Sequence, residues 1–227
     1  MNPPVIGLMG PAGAGKNFVG NILYVHFDYA TKAFADPLRS EVYTALACKT
    51  LPADAPWQAL ESGSIICNVK RNLPSVEFEF RGEFPSAPVQ RQLWLHRLIH
   101  DKPTHPAIRR LLQWWGTEYR RTQDESYWIK KALKSNVKNT VFTDVRFLNE
   151  ALMILALGGI IIEIEGRRDA AVPGHASEKV HEVGKTIWSM SELGVGAIYT
   201  LTNSEGTTTM DIISQLRGMG IKSPEDL

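Results

Sequence analysis

Short apolar runs alternate with amphipathic stretches along most of the chain. Val5-Ile6-Gly7-Leu8-Met9 is apolar throughout and stops at glycine, the pattern of a strand buried on both faces. A helix follows over about 16–26, with Val19, Ile22 and Leu23 on one face. The segment 30–35 reads as a second short strand. Asp36-Pro37 then predicts a helix start, an acidic cap followed by proline at the first helical position. Leu38, Val42 and Leu46 continue that helix on one face.

Between 49 and 106 the pattern degrades. Prolines and glycines are frequent, and only Val76-Glu77-Phe78-Glu79-Phe80 alternates cleanly, as a short strand would. This region reads as an insertion. Periodicity returns at Ile108, Leu111, Leu112, Trp115 and Tyr119, a helix burying one stripe. Beyond it the chain alternates: strand over 140–145, helix over 147–157, strand over 159–164, polar loop, helix over 177–188, strand over 197–202 and helix over 210–216. Such alternation predicts an α/β fold, a mostly parallel sheet with helices on both faces. The expected organisation is a single domain over 1–227, with the insertion at about 49–106 and a lid at about 166–178.

Composition narrows the function classes. The 227 residues are 44% hydrophobic and 22% charged, ordinary for a globular protein. A formal net charge of +1 gives no bulk attraction to long nucleic acid or to a membrane surface, so any cationic chemistry is local. Cys48 and Cys67 lack metal-binding spacing and read as two reduced thiols, with a single disulfide as the alternative. Met1-Asn2-Pro3-Pro4 has no basic run before an apolar stretch, so neither a signal peptide nor a membrane span is expected, and the setting is cytoplasm.

The strongest local signal is Gly10-Pro11-Ala12-Gly13-Ala14-Gly15-Lys16, which matches G-x-x-x-x-G-K between a predicted strand and a predicted helix. Glycines permit a tight loop whose backbone N–H groups meet phosphate oxygens, and the helix N-terminus behind adds partial positive charge. Gly10, Ala12, Gly13, Ala14, Gly15, Lys16 and Asn17 are therefore candidate ATP-binding residues. Lys16 is expected to reach the β- and γ-phosphates. Asn17 replaces the usual Ser or Thr that ligates Mg²⁺, and an amide oxygen is a weaker ligand.

Asp144 ends an apolar strand, as a Walker B carboxylate does, and is the second candidate for Mg²⁺; the plainer role is to cap the next helix. Arg39, Arg120, Arg121, Arg146, Arg167 and Arg168 fall at or near the ends of predicted elements, where a planar guanidinium can grip phosphate. Arg167-Arg168 opens the polar loop 166–176, the place for a lid over ATP. His175 and His181 read as loop and helix-surface residues. Trp114 lies off the stripe shared by Trp115 and Tyr119, so it either stacks on a base or packs against the insertion.

Six segments in order carry a family resemblance. They are Gly10 to Lys16; Lys32-Ala33-Phe34-Ala35-Asp36-Pro37-Leu38-Arg39; Leu112-Gln113-Trp114-Trp115-Gly116-Thr117-Glu118-Tyr119-Arg120-Arg121; Thr143-Asp144-Val145-Arg146-Phe147-Leu148-Asn149-Glu150-Ala151; His175-Ala176-Ser177-Glu178; and Thr202-Asn203-Ser204-Glu205-Gly206-Thr207. Together they resemble the deoxynucleoside monophosphate kinases best known from bacteriophages, relatives of the adenylate-kinase-like P-loop enzymes. The resemblance covers 5–216 apart from the segment that follows Cys48.

That resemblance implies a three-layer P-loop NTPase fold with an inserted substrate-binding or lid region. It implies ATP and Mg²⁺ as cofactors and small-molecule nucleotide substrates, in a monomer or homodimer in the cytoplasm (the host's, for a phage-encoded chain). Lys16, Arg121, Arg146, Asp144, Arg167 and Arg168 would form the catalytic set, with Asn17 and Asp144 toward the metal. Lys32, Asp36, Arg39, Trp114, Glu118, Arg121 and Arg146 would serve the acceptor. Two other readings stay open: a P-loop kinase acting on a coenzyme-precursor hydroxyl, with Asp36 as base, and a nucleotide-binding module without turnover.

Overall fold

The computed structural model describes residues 2–48, 52, 57–59, 65–67, 88–100, 106–166, 180–194 and 196–226. The chain divides into two compact units, one formed by Met1–Ala35 with Ser126–Leu227 and the other by Asp36–Glu125.

The first unit contains β1 (Val5–Met9), α1 (Lys16–Phe27) and β2 (Ala30–Lys32). At Ala35 it hands the chain to α2 (Ala35–Ala47), which continues in the second unit. The second unit also holds β3 (Trp57–Ala59), β4 (Ile65–Cys67), α3 (Pro88–His100), α4 (Pro106–Gln113) and a π-helix, Trp114–Arg121. The chain then re-enters the first unit through α5 (Tyr127–Ala132), β5 (Thr140–Phe142), α6 (Leu148–Ala156), β6 (Ile160–Gly166), α7 (Val180–Glu192), β7 (Ile198–Asn203) and α8 (Thr209–Gly218), with a final 3₁₀ turn at Pro224–Asp226.

The strands of the first unit form one sheet in the order β2-β5-β1-β6-β7, and every pairing is parallel. Side chains alternate across the sheet. Ile6, Leu8, Val141, Ile162, Ile164 and Leu201 pack with Val19, Ile22 and Leu23 of α1 and Ile212, Ile213 and Leu216 of α8. Val5, Met9, Phe142 and Ile161 pack on the opposite face with Ile129 of α5, Ala151 and Ile154 of α6 and Ile187 of α7. Two apolar layers therefore sandwich the sheet, and burial of each such side chain stabilises by about 1.5–3 kcal/mol. Gly7 lets α6 approach closely, since a Cβ there would lie 2.6 Å from Ile154 Cδ1.

This five-stranded all-parallel sheet flanked by helices is consistent with a P-loop NTPase fold. Since β5 and β6 flank β1 on opposite sides, the chain reverses direction across the sheet at β1. In open α/β sheets, ligands bind beyond the carboxyl ends of the strands at such a switch point.

Most expected elements are present with small shifts at their ends. β2 is shorter than the expected strand, and α2 begins one residue before Asp36. Asp36 is thus inside the first helical turn, because another carboxylate, Asp144, takes the N–H groups at the helix start. α3 and α5 were not foreseen. The strand expected over 76–80 lies outside the described residues.

Candidate active site

The candidate phosphate loop begins at the carboxyl end of β1 and feeds directly into α1. Gly10, Gly13 and Gly15 take φ values of 144°, 79° and 93°, conformations that L side chains rarely adopt. Close packing enforces the first and last of these. A Cβ on Gly10 would lie 2.6 Å from the Ile164 carbonyl oxygen, and one on Gly15 would lie 2.1 Å from Asn203 Nδ2.

The carbonyls of Gly10, Pro11, Ala14 and Gly15 are tied off. Lys16 Nζ donates to Gly10 O at 2.8 Å and to Pro11 O at 2.7 Å. Ala14 N also donates to Pro11 O, and Val19 N to Gly15 O. Asn203 Nδ2 donates to Ala14 O at 2.9 Å. The N–H groups of Gly13 and Gly15 take no acceptor among the described residues. A loop with most of its carbonyls engaged and glycine N–H groups in reserve, at a helix N-terminus, is suited to accept an anion.

Asp144 follows β5, whose line the backbone extends: Thr143 N donates to Lys32 O at 2.9 Å, and Val145 N donates to Leu8 O at 3.1 Å. Residues 143–145 are thereby pinned to β2 on one side and to β1 on the other. The Asp144 carboxylate accepts from Phe34 N at 2.7 Å and Ala35 N at 2.9 Å, holding the start of α2. Its capping role thus exists, though toward α2 rather than the helix that follows it.

The two candidate metal-holding residues, Asn17 and Asp144, offer oxygen donors. The Asn17 amide, in the first turn of α1, makes no hydrogen bond among the described residues, and no cluster of three or more His, Cys, Asp or Glu exists among them. Such a sparse set fits Mg²⁺, which keeps several waters and takes one or two protein oxygens plus phosphates. Arg146 N and Phe147 N both donate to the buried Glu150 carboxylate, which fixes the backbone that carries the Arg146 side chain. The Lys32 ammonium donates to Ser135 Oγ and Asn136 O, in the loop between α5 and β5.

The second unit assembles its charged residues around the π-helix. Helices of this type are rare, usually a single turn, and often mark functional sites. Here side chains reinforce it. Trp114 stacks on Tyr119, five residues on, with centroids 5.3 Å apart and planes within 10°. Trp114 is 9% exposed, so a large part of its surface is already covered by packing. Glu118 grips Arg110 of α4 through both carboxylate oxygens, at 2.5 and 3.1 Å. Glu41 of α2 accepts from Trp115 Nε1 at 3.0 Å and from the Arg120 guanidinium.

Arg121 Nη1 donates to Glu125 O at 3.1 Å. Arg39 approaches Asp36 at 3.4 Å, and its buried Nε has no partner among the described residues. A buried guanidinium N–H without an acceptor is costly unless a ligand supplies one.

Arg167, Arg168, His175 and the lid beyond Gly166 lie outside the described residues. His181 belongs to α7, with its side chain outside the described set. Sequence reasoning missed Asn203 and Glu41 as individual residues. Asn203 lies in the segment Thr202 to Thr207 and closes an apolar strand, the one signal the sequence offers for it. Glu41 carries none, since nothing in a helical pattern tells a bridging glutamate from a solvated one.

No family model matches the chain. It is similar to a protein of Acanthamoeba polyphaga mimivirus named "Putative deoxynucleotide monophosphate kinase", with 27% identity over 193 residues that cover 78% of each chain. Among the described residues no helix is long and apolar enough to cross a membrane. The likeness supports a phosphotransferase of the nucleotide-kinase kind.

Proposed function

We propose that this protein is a deoxynucleoside monophosphate kinase, transferring the γ-phosphoryl group of ATP to a deoxynucleoside monophosphate to give dNDP and ADP. The observation that carries the reading is the glycine-rich loop at the switch point, with the carbonyls of Gly10, Pro11, Ala14 and Gly15 engaged and the N–H groups of Gly13 and Gly15 available. The mimivirus relative's name and the unpartnered Arg39 Nε support the acceptor class.

In the reaction, an oxygen of the acceptor phosphate forms a bond to Pγ while the bond from Pγ to the β,γ-bridging oxygen breaks. The electron pair leaves on ADP. The acceptor is already an anion, so no general base is required, and catalysis is positioning and charge neutralisation. Lys16 leaves its loop carbonyls for the β- and γ-phosphates. Arg121 and Arg146 neutralise the transferring group, and Arg167 and Arg168 close over it. Arg39, Asp36 and Glu118 serve the acceptor. Trp114 contributes through packing, and Lys32 braces β2 against the α5–β5 loop. Mg²⁺ supplies charge neutralisation on the phosphates when bound, and Asn17 and Asp144 are the residues that would hold it or its waters.

ADP release in the presence of Mg-ATP, measured across a panel of dNMPs, rNMPs and no acceptor, tests the proposal. Release with particular dNMPs is expected. Release only with a hydroxyl acceptor would transfer the assignment to a kinase that needs a base, with Asp36 as its candidate.

A further inference from the structure

Asn203 is the last residue of β7, paired in register with Gly166 at the end of β6. It is a polar residue in a buried place, 7% exposed, at the paired ends of β6 and β7. Its Nδ2 donates to the carbonyl of Ala14, a fully buried residue of the phosphate loop. Nothing else in the loop does this for Ala14. The Lys16 ammonium reaches Gly10 O and Pro11 O, and the first helical bond serves Gly15 O.

The seat is cut to fit an amide. A Cβ on Gly15 would lie 2.1 Å from Asn203 Nδ2, and one on Gly166 would lie 2.0 Å from Asn203 O. Both glycines have positive φ: Gly15 leaves room for the Asn203 amide, and Gly166 leaves room for the Asn203 backbone carbonyl. The partner is a carbonyl, which demands a donor. A carboxylate in the same place would repel it.

We infer that Asn203 is a positioning residue for phosphoryl transfer: its amide holds the phosphate loop in its anion-accepting shape and joins it to the segment that follows β7. The inference rests on the phosphate-loop reading above. Removing the amide frees the Ala14 carbonyl to rotate toward the phosphates, where a carbonyl oxygen repels them. Donor binding then weakens, while acceptor recognition by residues of the other unit does not change.

Two variants and one titration test this. In Asn203→Ala, Mg-ATP affinity measured by calorimetry should fall about tenfold, with the acceptor KM within about twofold of wild type. In Asn203→Asp, the side chain donates to Ala14 O only when protonated. The ratio of its kcat/KM for ATP to the wild-type value should therefore rise as pH falls from about 8 to about 6. A purely structural role would lower the thermal stability of both variants and leave that ratio flat. Wild-type ATP affinity in folded Asn203→Ala, or a flat ratio for Asn203→Asp, overturns the inference. Should Asn203→Ala fail to fold, the pH profile of Asn203→Asp decides alone. Wild-type protein that does not bind Mg-ATP in the same titration overturns the phosphate-loop reading itself, and the inference with it.

Discussion

The two units hold their chemistry in different ways. In the first, the phosphate loop is shaped by main-chain bonds, by glycines that admit no side chain and by a sheet packed on both faces. In the second, the corresponding order comes from side chains: Glu41 bridging Trp115 and Arg120, Glu118 clasping Arg110, and Trp114 stacked on Tyr119. A phosphate looks alike in every nucleotide, so a backbone cradle suffices for the donor. An acceptor differs in base and sugar, and side chains are what evolution can exchange without disturbing a sheet. On the proposed reading, donor chemistry belongs to the first unit and acceptor handling to the second.

The largest effect should come from the donor side. Lys16→Ala should lower kcat/KM by about a thousandfold or more, with an unchanged circular dichroism spectrum, because it removes a cation at the transferring phosphates. Near-normal turnover would remove the phosphate loop from the mechanism.

A smaller and one-sided effect belongs to the second unit. Glu41→Ala leaves the Trp115 N–H and the Arg120 guanidinium without their shared acceptor, at a cost of about 1–3 kcal/mol. The acceptor KM should rise roughly tenfold while the ATP KM holds, as expected when a pocket's supports loosen. Equal changes in both would erase the division between donor and acceptor sides.

Helix α8, on the first unit's outer layer, offers a purely structural control. Thr208 and Asp211 cap it reciprocally: Thr208 N and Oγ1 donate to Asp211 Oδ2, and Asp211 N donates back to Thr208 Oγ1. These bonds from the Thr208 backbone and side chain hold the Asp211 carboxyl below its usual pKa. A depressed carboxylate pKa stabilises above the unfolded value and ceases to do so as pH falls through the folded one. Thr208→Ala should therefore lower the thermal unfolding temperature at pH 7, and the gap to wild type should narrow in acid. ATP kinetics should not change.

The smallest effect sits at Tyr29, whose hydroxyl donates to Pro3 O at 2.7 Å. Burial pushes its phenol up to about 12. The unfolded chain ionises first, near pH 10, so this contribution is complete below about 10 and is lost as pH rises toward 12. The stability difference between wild type and Tyr29→Phe should shrink over that alkaline range in denaturant titrations.

Legibility along the chain followed the same division. In the first unit, apolar runs such as 5–9 and 160–164 announce strands buried on both faces, and glycine with lysine at fixed spacing announces the phosphate loop. Local chemistry and global fold agree there. α5 was missed because Tyr127-Trp128-Ile129-Lys130-Lys131-Ala132 is too short to show a helical period. α3 was missed because Pro88 and the surrounding prolines suggested a loop, although proline is tolerated in a first helical turn.

The π-helix could not be read from spacing at all. Its stripe of Trp115 and Tyr119 looks α-helical, and only the contact of Trp114 with Tyr119 reveals the wider turn. Asp144 shows another limit. Its place at a strand end was legible, but its hold on Phe34 N and Ala35 N joins residues more than a hundred positions apart.

The central claim is transfer to a deoxynucleotide, and product analysis tests it most directly. Wild-type protein incubated with γ-labelled Mg-ATP and each dNMP in turn should yield labelled dNDP from at least one of them, and none in the Lys16→Ala variant. Label recovered only as inorganic phosphate, or unreacted ATP from protein that demonstrably binds it, would contradict the claim.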